Sequence, residues 1–159
     1  MEQKTRITAL DGQQELFITR EFDLPIALLF KAYVVPELVA EWMGTKVLKL
    51  ESKRLGAYQF ETTDPKGNLH RFNGVIHEFE TDKKITRTFE MENTPFPVQL
   101  EFLEFTPLSD SRSKLTMQVI YKSVKDRDEH LKMPFEYGIN MAHNRIQEIC
   151  NTLKTITHD

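Results

Sequence analysis

A single cysteine, Cys150, among 159 residues excludes an internal disulfide and a thiolate metal cluster. With only six glycines and no run of them, the chain has no phosphate-cradling loop. The longest apolar run is Ile26 to Phe30, far short of the ~20 residues that a membrane-spanning helix needs, and Met1 to Leu10 lacks the apolar centre of a signal peptide. Neither sign of charge dominates. With 21 basic and 24 acidic residues, a net charge of −3 and no basic block, the footprint of a nucleic-acid binder is missing. The histidines His70, His77, His130, His143 and His158 show no two-histidine-plus-acid spacing on a helix face, so no metal and no cofactor are expected. Together these absences lead to the expectation of a cytoplasmic protein with no membrane span and no nucleic-acid partner.

What is present is globular: 40% hydrophobic and 28% charged residues, in a length that suits one domain burying about 70% of its extended-chain surface. Eleven phenylalanines and four tyrosines are spread mainly through segments that alternate like strands, as if walling something in. Leu16 to Phe22 alternates with period two. Asp23 followed by Pro25 gives a helix start, and Pro36 a second one that ends near Met43-Gly44. From Lys46 to Tyr121 the period returns to two, broken by turn residues into six strands in antiparallel succession. After Ser123 and Asp126, either able to cap, apolar residues from Leu131 to Leu153 recur every three or four positions, with a break expected near Met133 because of Pro134. The reading is α+β: a curved seven-stranded antiparallel sheet around a long C-terminal helix, with two short helices after strand 1. Residues 1–15 read as an N-terminal extension and 16–157 as the domain.

Several pieces of this order occur in a recognisable combination. They are Arg20-Glu21-Phe22-Asp23-Leu24-Pro25, Phe30-Lys31-Ala32-Tyr33, Pro36-Glu37, Trp42-Met43-Gly44, Gly56-Ala57-Tyr58-Gln59-Phe60 and the Asp64-Pro65-Lys66-Gly67 turn. The combination resembles the Hsp90-ATPase-activator-homologue (AHSA1-like) family of the START/Bet v 1-like (SRPBCC) helix-grip superfamily. The resemblance implies the helix-grip fold and a space between sheet and helix. It brings no shared catalytic set, so no acid, base or nucleophile is carried over, and a chaperone partner is implied only by analogy with the activator.

Strand alternation nominates the residues around that space. Leu115, Met117, Val119 and Tyr121 share the inward face of the last strand. Ile85, Arg87, Phe89 and Met91 share a face of an earlier one, which sets a guanidinium among apolar neighbours. Arg87 then either takes Glu78 or an anionic ligand head as partner, or reaches water with only its stem packed. The strand Phe72 to Phe79 carries apolar and ionisable groups on both faces. Pairing Phe79 with Ile85 sets His77 opposite Arg87, and a one-residue shift turns Glu78 inward instead. Trp42, Tyr58, Phe60, Tyr121, Tyr137 and Met141 read as cavity lining or as core, depending on whether the space is filled.

Three functions fit this reading. The first is a non-catalytic module that binds a small apolar or amphipathic molecule through Trp42, Tyr58, Phe60, His77, Arg87, Phe89, Met117, Tyr121, Tyr137 and Met141. The second is a protein-interaction module of the Hsp90 co-chaperone kind with a filled core. The third is a cyclase- or hydrolase-like enzyme, for which no catalytic pair stands out. A monomer and a homodimer are equally compatible with the sequence.

Overall fold

The computed structural model describes residues 4–157; Met1 and His158, invoked above, lie outside them. The chain opens with two antiparallel strands, β1 (Arg6–Thr8) and β2 (Glu15–Phe22), joined through a turn in which Gly12 takes a positive φ of 76°. Two helices follow, α1 (Ile26–Val34) and α2 (Pro36–Met43). Pro36 occupies the first turn of α2, where its missing N–H costs nothing, and Gly44 closes the helix in the left-handed conformation. Six strands come next: β3 (Lys46–Leu50), β4 (Ala57–Thr63), β5 (Leu69–Glu80), β6 (Lys84–Met91), β7 (Gln99–Pro107) and β8 (Ser113–Ile120). The chain ends with α3 (Val124–Leu131) and the long α4 (Phe135–Thr157). Ser123 caps α3 by accepting from the Asp126 N–H, and Pro134 falls between the two helices, where the sequence places the break.

The strands form one antiparallel sheet in the order β1-β2-β8-β7-β6-β5-β4-β3, with α1 and α2 carrying the chain between its two ends. It has eight strands where the sequence predicts seven. The extra one, β1, lies inside the stretch read as an extension and pairs Ile7 with Ile18; three residues are too few to show a period. Helix α4 packs Ile146 and Cys150 into a fully buried core with Leu16, Phe22, Leu24, Leu29, Leu103 and Leu115. Phe30 of α1 meets Phe79 and Phe105 edge-on at 5.5 and 5.0 Å.

Polar ties fix α4 across the sheet. Arg20, buried on β2, donates to Asn144 Oδ1 (2.8 Å), Asn140 Oδ1 (3.3 Å) and Thr5 Oγ1 (3.3 Å). Thr5 Oγ1 in turn lies 2.6 Å from Nδ1 of the buried His143. The Phe22 ring meets the same imidazole edge-on, with 5.7 Å between the ring centroids. Asp23 does not cap α1 with its side chain as expected; Pro25 stands at the N-cap, and the Asp23 N–H donates to Gln147 Oε1 of α4 (2.9 Å).

Candidate functional site

Five neighbouring strands present one transverse row on the sheet. Ile76 pairs with Arg87, Arg87 with Glu101, Glu101 with Val119, and Val119 with Leu16. An ion pair thus stands on β6 and β7, the two middle strands, flanked by apolar residues on both sides. On one side of the row the concave face is packed solid by Ile85, Leu103, Phe105 and Leu115. On the other side the sheet and the N-terminal half of α4 enclose a cavity of about 570 Å³, within the range of small-molecule sites.

Arg87 Nε donates to Glu101 Oε1 at 2.9 Å, and Gln99 Nε2 donates to the second carboxylate oxygen, also at 2.9 Å. The two charged side chains are only 15% and 7% exposed. The guanidinium carbon lies 5.3 Å from the ring centroid of Tyr58. That ring is held by its cross-strand partner Gly74, where a Cβ would collide with the Tyr58 ring and with the Thr88 carbonyl, and by its hydroxyl, which donates to the same carbonyl. Burial opposes the charge on Arg87, but Tyr58 and the Glu101 carboxylate more than offset it, and its pKa is raised. Among the described residues its two Nη groups make no hydrogen bond, and they are unused donors in the cavity wall.

Other polar atoms share the wall. The hydroxyl of Tyr33 and the side-chain oxygen of Gln99 make no hydrogen bond among the described residues. Burial pushes the Tyr33 phenol far above its ordinary pKa, so it stays neutral. His130 of α3 has its Nδ1 2.6 Å from the Tyr121 hydroxyl and packs its ring against Phe135. Burial lowers its pKa, with Glu101 acting in the opposite sense, so the imidazole is neutral at neutral pH.

Of the residues nominated from the sequence, Trp42, Phe60, Arg87, Phe89, Met117 and Met141 line the cavity. Trp42 is wall and plug at once: its indole N–H donates to the Ala32 carbonyl (2.7 Å) while its ring lies against Tyr33. Met141, 43% exposed, stands at the mouth. Tyr58 and Tyr121 stand behind Arg87 and His130 and are not part of the wall. His77 and Tyr137 are solvent-exposed and do not belong to the cavity.

The placement of His77 has a clear cause. Phe79 does pair with Ile85, but the register shifts between Ile76 and Glu78, so His77 is the extra residue of a bulge and turns outward. The bulge reverses the parity of β5, letting Ile76 and Phe79 both face the interior. Glu78 points outward as well, accepting from Thr86 Oγ1 (2.6 Å) and Lys84 Nζ (3.1 Å), so it is not the partner of Arg87. Sequence reasoning missed Glu101, Gln99, Tyr33 and the cavity role of His130. The available signal was the pair of opposite charges on neighbouring strands, hidden because Leu100 and Phe102 make the other face of β7 look equally apolar.

Comparison with known proteins adds to this geometry. Residues 23–151 match the model of the family described as Activator of Hsp90 ATPase homolog 1-like protein. The chain belongs to that family. No curated protein matches it. Among solved structures, a Rhodobacter sphaeroides protein superposes with a TM-score of 0.84 at 18% identity, over 94% of this chain and 99% of that one. An Arthrobacter aurescens protein gives 0.83 at 16%, over 92% and 91%, and a Nitrosomonas europaea protein 0.79 at 21%, over 92% and 99%. At these identities the likeness establishes the helix-grip fold of the AHSA1-like family and nothing about its ligands.

Proposed function

We propose that this AHSA1-like chain is a non-catalytic binding module that holds a small amphipathic molecule between its sheet and α4. The observation that supports this reading is the 570 Å³ cavity, walled largely by aromatic and aliphatic side chains, with the uncommitted Nη groups of Arg87 as its strongest donors. Apolar walls give affinity and a few convergent polar groups give orientation. The co-chaperone-like interaction module rests on family membership alone, since its premise of a filled core does not describe this end of the sheet. The enzyme reading lacks an aligned nucleophile and base: His130 is engaged by Tyr121, and Glu101 by Arg87 and Gln99.

The test is binding of the uncharged fluorophore N-phenyl-naphthylamine, whose emission rises in an apolar site. Met117 is 6% exposed and lies in the wall, so Met117→Trp fills space there and should weaken probe binding by about tenfold or more while the protein stays folded. Wild-type protein that leaves the probe dark would overturn the reading. Native mass spectrometry of protein purified from its own cell should show the retained molecule as added mass.

A further inference from the structure

The charge balance of the cavity says what kind of head group it accepts. The inner wall carries one guanidinium and one carboxylate 2.9 Å apart, so the buried pair is neutral as a unit. His130 is neutral, and Arg145, the remaining ionisable residue of the wall, is exposed, with its Nη2 donating to the Glu41 carbonyl outside the pair. A ligand carboxylate at the Arg87 Nη groups would add a third charge beside Glu101 in a largely apolar cavity, where its lost hydration is poorly repaid. A carbonyl oxygen would take the same donors without that penalty. The Gln99 side-chain oxygen and the Tyr33 hydroxyl, unused among the described residues, provide acceptors for an N–H or O–H on the same head.

We infer that the cavity selects uncharged carbonyl-bearing amphipaths, of the primary amide or hydroxy-ketone class, over the corresponding carboxylates, and that Glu101 is the residue that sets this preference. The inference rests on the cavity reading above and deepens it by naming the ligand class. It also sets aside an anionic head, one of the partners considered for Arg87, because its counter-charge is already built into the neighbouring strand.

The experiment compares decanamide with decanoate as competitors of N-phenyl-naphthylamine near pH 7.5, where the acid is ionised. On the wild-type protein decanamide should bind at least about tenfold more tightly. In Glu101→Gln the side-chain oxygen can still accept from Arg87 Nε, but the guanidinium charge is unmatched, so decanoate should gain about tenfold or more and the order should reverse. The wild-type comparison stands even where that variant does not fold. Decanoate binding as tightly as decanamide to the wild type, or a Glu101→Gln protein with unchanged preference, overturns the head-group inference and leaves the cavity reading in place. Displacement by neither compound while the probe remains bound overturns it too. Failure of the probe itself to bind overturns the cavity reading and this inference together.

Discussion

Removing Arg87 tests whether the mid-sheet ion pair has the partners assigned to it. In Arg87→Met the stem volume is kept, but Glu101, 7% exposed on its side chain, retains only the Gln99 amide as donor. Breaking a buried pair from one side costs about 3 to 5 kcal/mol. A destabilisation of about 3 kcal/mol follows, and at a urea slope near 2 kcal/mol per molar the midpoint should fall by about 1.5 M. Glu101→Leu strands the guanidinium, which is 15% exposed and has the cavity beside it, so its cost should be less, about 2 kcal/mol. The double variant carries two apolar residues in a row already occupied by Ile76 and Val119, and it should be as stable as the wild type or more so. Equilibrium urea titrations of all four proteins close the cycle. Additive costs, or an Arg87→Met midpoint equal to that of the wild type, would show that the pair is solvated and that the reasoning from burial is wrong.

Two further measurements bear on α4. Ile146→Ala, at a fully buried position, should cost about 2 to 5 kcal/mol; Phe135→Ala, half-buried in the cavity wall, should cost clearly less, and exposed Glu148→Ala under about 0.5 kcal/mol, so equal urea midpoints for the three would place the helix face wrongly. Burial, with the Arg20 charge adding to it, lowers the pKa of His143 to about 3, whereas the unfolded chain protonates it near 6.5. Its contribution to stability is therefore complete above about pH 6.5 and is lost as pH falls toward 3, at up to about 1.4 kcal/mol per pH unit. His143→Gln, able to accept from Thr5, should show a shallower loss between about pH 6 and pH 4, and parallel pH profiles for the two proteins would refute the assignment.

Long periodic segments were readable from the sequence because one periodicity fits them and no other does. The inward faces of β8 and β6, the apolar stripe of α4 and its break at Pro134 all follow from side-chain spacing and from the missing proline N–H. Three features escaped. Strand β1 spans three residues and is held by pairing and by the burial of Thr5, neither of which leaves a local pattern. The parity change in β5 comes from an inserted residue, and a period-two reading carried across His77 must assign half the strand to the wrong face. On β7 both faces hold apolar residues, so the inward position of Glu101 is decided by the register with β6, a long-range fact.

The division of the concave face explains why the polar pair sits where it does. Toward the C-terminal half of α4 the fold is held by dense apolar packing around Ile146 and Cys150, and ahead of it ties from Arg20 and Thr5 set the helix position. Those ties reach α4 at Asn140, His143 and Asn144, while Ile139, Ala142 and Arg145 of the same turns line the cavity, and the Pro134 break separates α4 from α3. Over these turns, anchoring and cavity are thereby assigned to different faces of the same helix. An apolar pair in place of Arg87 and Glu101 would serve the packed end at least as well, since a desolvated ion pair adds little net stability. The pair stands at the boundary with the cavity, where it leaves two guanidinium donors open without leaving a charge unmatched. A site that orients a neutral polar head needs that combination, and a packing core does not.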